Sequence, residues 1–135
     1  MMDTSKSLQE LENYDWGEPD EASTGLVQKC VALRRVPLCQ LSAENCRMLL
    51  GQQISPKFLV PLALEFLARD PLEDGGTMAP GAVLGHILRL PAQFWIDYPE
   101  LWYQVNEIVA QLEQLSEAVE SLAPDVKQFQ TLQVG

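Results

Sequence analysis

The stretch that decides the fold is Pro99–Leu122, PELWYQVNEIVAQLEQLSEAVESL. Within it Leu101, Val105, Ile108, Leu112, Leu115, Val119 and Leu122 recur at steps of four and three. That rhythm puts them on one side of a helix, while Glu107, Glu113, Glu117 and Glu120 lie off the seam. The spacing predicts one long helix starting near Asp97, Pro99 and Glu100, where acids suit the helix dipole. Such a seam is the core stripe of a helix packed on its own domain, the favoured reading, or the seam of a coiled coil.

Working back from this helix, the same period recurs in shorter pieces. Pro80 opens a helix carrying Val83, Leu84, Ile87 and Leu88, and Pro91 closes it. Ser55-Pro56 reads as a cap with proline at the first helical position, leading a helix to about Arg69. Pro61 should kink that helix or delay its start. Ser42 heads a helix through Gly51 or Gln53, with Cys46, Leu49 and Leu50 on one face. Ser23 or Thr24 caps another, which ends by Pro37. A short amphipathic piece holds Leu8 and Leu11, and DWGEPDEASTG after it reads as loop. Alternating apolar and polar runs are absent. The expectation is an all-α, single-domain bundle of about five to six helices over 1–135, with 1–7 and 125–135 candidates for flexibility.

The composition fits one ordinary globular core, with 47% hydrophobic and 21% charged residues in 135. The apolar-rich stretch Phe58–Leu67 is short and interrupted by Pro61 and Glu65, so no membrane span is expected. The acidic N-terminus lacks the apolar run of a secretory signal, which points to the cytoplasm. Cys30, Cys39 and Cys46 are odd in number and form no CxxC pair, so they read as free thiols.

The net charge is −10, concentrated at both ends. Residues 1–25 hold seven acids against Lys6, and residues from 97 onward hold seven against Lys127. This field disfavours nucleic acid and attracts a basic protein, or it serves solubility alone. Catalytic motifs are missing. The lone His86 has no partner motif, no phosphate-binding loop occurs, and a transition-metal site would lack ligands. No enzyme activity, cofactor or metal is expected.

Aromatic and arginine placement is more informative. Asp15-Trp16-Gly17-Glu18 sets a large ring in a polar loop, Arg34 and Arg35 precede Pro37, and Gln52 and Gln53 follow Gly51. These are typical binding anchors. The favoured alternative is an internal staple, in which Trp16 folds onto the core and Arg34 or Arg35 clamps a carboxylate of the DWGE loop.

The order DWGEP, ALRRVPL, LSAENCRMLLGQQIS and LVPLALEFLARDPL, from about Leu8 to about Trp95, resembles immunity proteins of bacterial contact-dependent growth inhibition systems. The resemblance implies a protein that folds, binds a cognate toxin domain stoichiometrically and blocks it. The loop after DPL departs from the family pattern, with Ala82 where an acid is expected. The expected contact is an acidic surface made by Glu73, Asp74, Glu107, Glu113 and Glu117, suited to a basic toxin. The alternative is a cytoplasmic helical adaptor or homo-oligomer without a toxin partner. A homodimer through the 101–122 helix is compatible with either.

Overall fold

A computed structural model describes residues 2–132 of the chain. Met1 and 133–135, part of the ends expected to be flexible, lie outside the described residues. Among the described residues seven α-helices follow in order: α1 Leu8–Glu12, α2 Gly25–Leu33, α3 Ala43–Gly51, α4 Pro56–Arg69, α5 Ala82–Leu88, α6 Ala92–Asp97 and α7 Pro99–Gln130. One 3-10 turn spans Leu38–Gln40. Among the described residues there is no strand, only an isolated antiparallel bridge between Ser7 and Pro37. No helix among them is long and apolar enough to cross a membrane.

The all-α reading holds. The added helix is α6, which starts directly after Pro91, where the sequence reading stopped one helix and waited for the next. Several starts follow their caps as expected. Thr24 Oγ1 accepts from the Val27 N–H at 3.2 Å, and Ser42 and Asn45 form a reciprocal capping box at 3.0 and 3.1 Å.

Three starts differ. Ser55 sits in the left-handed region at φ 48° and makes no side-chain cap. Its hydroxyl is drawn away to Glu12 Oε1 at 2.8 Å. Asp97 does not open α7, because its carboxylate accepts from Gln93 Nε2 at 2.9 Å and Tyr98 occupies the cap position. The fifth helix begins at Ala82 behind Gly81, whose φ of 81° favours a residue without Cβ. Pro61 neither delays nor splits α4, which starts at Pro56.

The core forms around α4. Leu59, Val60, Leu62, Ala63, Leu64 and Leu67 are all buried, so this helix is covered on most of its circumference. It packs against α3, α5 and α7, and α2 closes on α3. Cys30 and Cys46 are core residues, and burial pushes the Cys46 thiol up to about 12. Cys39 is exposed.

The long helix divides in two. Leu101, Val105 and Ile108 are buried against the body, and Leu112 is half-buried. Every described residue from Glu113 onward is exposed. The seam therefore serves as a core stripe for its first half only. The second half projects from the body.

Candidate protein-binding site

The residues singled out as anchors converge on Arg34. Its side chain is only 2% exposed, at the end of α2. The guanidinium pairs with Glu12, donates to the Tyr14 carbonyl at 2.9 Å and reaches Ser55 Oγ at 3.4 Å. Its Cζ lies 4.3 Å from the centre of the Trp16 ring. One side chain thus ties the 12–16 loop to the ends of α2 and α4. Arg35 makes the clamp on the DWGE loop. It donates to the Gly17 carbonyl at 3.1 Å and pairs with Glu18 at 3.0 Å and Asp15 at 3.7 Å. Asp15 in turn accepts from the Gly17 N–H at 2.7 Å, closing the turn on itself.

Trp16 departs from the expected staple, because it does not enter the core. It is 44% exposed, with one face held by Arg34. Its other surroundings form an open groove of about 250 Å³ with Leu26, Val27, Cys30, Gln52 and Ile54. Gln52 and Gln53 are exposed at the end of α3, and Gln53 takes φ 55° to turn the chain towards α4. These motif residues hold loops in place and leave a shallow apolar groove between them.

The acidic residues of α7 occupy a different face. At 3.6 residues per turn, Trp102, Tyr103, Asn106, Glu113 and Glu117 fall opposite the seam, with Glu107 one turn beyond Tyr103. All six are exposed. At the start of this face a hollow of about 240 Å³ is lined by Trp95, Ile96, Pro99, Trp102 and Tyr103. The Trp102 and Tyr103 rings meet edge to face at 5.1 Å. The sequence reading used the acids of this face and passed over its aromatics. The run FWIDYPELWY over 94–103 is the signal that marks them.

Glu73 and Asp74 lie elsewhere. Both are half-buried, and Leu72 beside them sits against Leu112, Leu115 and Val119, at the seam. The loop is braced internally. Arg47 Nε donates to the Gly75 carbonyl at 2.7 Å, and Asp74 Oδ1 accepts from the Gly76 N–H at 2.9 Å. The structure gathers Glu107, Glu113 and Glu117 on one side of α7 and keeps the Glu73–Asp74 loop on the flank of the seam.

His86 belongs to neither surface. It lies on α5, where a Cβ added at Gly51 would meet its Cε1 at 3.3 Å. Burial, then the charges of Arg89 and Arg47, hold its pKa below the usual histidine value.

A family model described as CDI immunity proteins matches residues 10–105. No curated protein and no solved structure matches the chain. The matched span takes in the end of α1, α2 to α6 and the docked start of α7, and it stops before the projecting half.

Proposed function

We propose, from the premise that this chain belongs to the CDI immunity proteins, that it neutralises a cognate toxin domain by stoichiometric binding through the outward face of α7. The toxin domain as partner is what the family implies. The use of this face, and binding in the cytoplasm rather than catalysis, are our reading. One observation carries it: exposed Trp102 and Tyr103 lie on the same face as Glu107, Glu113 and Glu117. Large aromatics supply the buried anchors of protein interfaces, and a flanking field of one sign steers an oppositely charged partner. The motif residues around Arg34 form a scaffold in this reading. Trp102 and Tyr103 lie within the matched span, and Glu107, Glu113 and Glu117 lie beyond it.

Reversing Glu113→Lys and Glu117→Lys together should slow association with the cognate toxin domain and flatten its salt dependence. Trp102→Ala should act on dissociation instead, raising the dissociation rate by about tenfold or more. Binding kinetics at several salt concentrations separate the two effects. A charge-reversed protein that binds at the parent rate in low salt reduces the acids to a solvated face. If Trp102→Ala also leaves dissociation unchanged, the site lies elsewhere. The Trp16 groove and the Glu73–Asp74 loop are then next to be tested. Self-association, the alternative reading, is favoured by a separate observation, the uncovered second half of the seam.

A further inference from the structure

The projecting half of α7 carries a heptad repeat that no other described residue of the chain buries. Leu112, Val119 and Val126 occupy the a positions, and Leu115, Leu122 and Phe129 the d positions. The same register continues the buried set Leu101, Val105 and Ile108 without a break. Leu115, Val119, Leu122, Val126 and Phe129 are between 49% and 74% exposed. An isolated helix of this length is marginal in water without a packed face. We propose that two copies of this chain pair through these halves as an antiparallel two-helix coiled coil.

Charge selects the occupant. The e and g positions flanking the exposed seam are Ser116, Ala118, Ala123, Asp125 and Gln130. Only Asp125 is charged. Glu113 and Glu117 fall at b and f, away from the contact, and Glu120, at b, borders the stripe beside Val119. A basic partner would find no row of carboxylates beside this stripe. A second copy would bring almost no like charge against it, despite the net charge of −10. Pro124, inside α7, falls at an f position, on the far side of the helix.

Direction follows from where the body sits. The body packs on the seam side of the docked half. Parallel pairing along the same seam would drive each body into the other copy's α7. Antiparallel pairing sends the bodies to opposite ends. In the register that layers a against d, Val119 meets Leu122 of the second copy, Leu115 meets Val126 and Leu112 meets Phe129. That last layer has a socket already: a hollow of about 370 Å³ where α7 leaves the body, lined by Leu72, Leu112, Leu115 and Val119, with Ser116 and Glu120 at its polar side. Phe129 at the far end of the stripe is 74% exposed. Knob and socket lie at opposite ends of one surface, as a two-fold contact requires. Covering the stripe and its flanks in both copies removes on the order of 1,200 Å², the lower limit for a specific stable interface.

The test uses the full chain. Light scattering on a sizing column at about 100 µM, above the micromolar range such interfaces reach, should give a dimer. Leu122→Glu should give a monomer that keeps the melting temperature of the body and loses part of the helical signal, that of the projecting half. Orientation is read from a nitroxide at Gln128→Cys in a Cys39→Ser background, where the remaining thiols are buried. Antiparallel pairing sets the two labels on the order of 22 Å apart along the axis, from 1.5 Å per residue. A separation of about 10 Å, the spacing of adjacent helices, overturns the antiparallel arrangement. A parent that stays monomeric overturns the pairing itself. If such a monomer also loses toxin binding on Leu122→Glu, the stripe belongs to the toxin.

Discussion

The two halves of α7 share one sequence rhythm and meet opposite fates. Leu101, Val105 and Ile108 disappear into the body, while Leu115, Val119 and Leu122 continue the same steps into solvent. The difference does not lie in the seam residues, which are of the same kind. It lies in what stands opposite: the body covers Leu101, Val105 and Ile108 and leaves every described residue from Glu113 onward exposed. A heptad pattern thus specifies that a face is apolar, and the remainder of the chain decides whether that face is already covered.

The sharpest way to break this comparison is to truncate one residue in each half. Ile108→Ala should lower the stability of the body by about 2–5 kcal/mol, the range for large-to-small changes in a core. Val119→Ala, made in the monomeric Leu122→Glu background, should change it by no more than about 0.5 kcal/mol. Urea denaturation followed by circular dichroism reads both. Equal costs would mean that the projecting half is packed in solution, and the division drawn here would fail.

A second contrast sets the Arg34 hub against the α7 face. Arg34→Ala strands Glu12, frees the Tyr14 carbonyl and removes the support of Trp16. Breaking a buried pair costs about 3–5 kcal/mol, and the partly open position of Glu12 reduces the expectation to about 2–4. Gly75→Ala comes next. At φ 58° its new Cβ would lie 2.8 Å from Arg47 Cδ and 2.9 Å from Arg47 Cβ, and a loss of about 1–3 kcal/mol follows. Trp16→Ala should cost less, about 1 kcal/mol, because its ring gives up mainly a cation–π contact. None of the three should slow toxin association once the protein is folded. A Trp16→Ala protein of full stability that no longer binds would move the interface to the groove beside α2.

How much of this was legible in the sequence depended on how local the cause was. Thr24 and Ser42 could be read as caps because the atoms they satisfy lie three residues away. Ser55 could not, because the competitor for its hydroxyl, Glu12, is 43 residues distant. Asp97 was lost to Gln93 in the same way, through a helix that Pro91 had hidden. The Arg35 clamp followed from charge and proximity. Arg34 was placed at the right joint but with Glu12 as its partner, outside the DWGE loop. The α7 acids were legible as a group since helical spacing alone gathers them. Their neighbours Trp102 and Tyr103 were not, because an aromatic beside a core seam reads as core until the body's extent is known.

The smallest expected effect also separates the two regions, through pH. His86 sits in the body, on α5 against Gly51, with Arg47 on α3 and Arg89 at the end of its own helix. Burial and these two positive charges lower its pKa from the ordinary 6.5, so the folded protein takes up a proton less readily than the unfolded chain. The unfolded state then binds more protons as the pH drops below 6.5, and by linkage stability falls with it. The contribution is complete above the unfolded value and is lost as the pH falls through it towards the folded one. Melting temperatures at about pH 7.5 and about pH 5.5 should therefore differ in the parent, and His86→Asn should narrow that difference. The same narrowing should appear in the monomeric Leu122→Glu background, since the group responsible is remote from the projecting helix. If the His86 effect vanishes when the helices are kept apart, pairing reaches into the body, and the two halves of α7 are not independent.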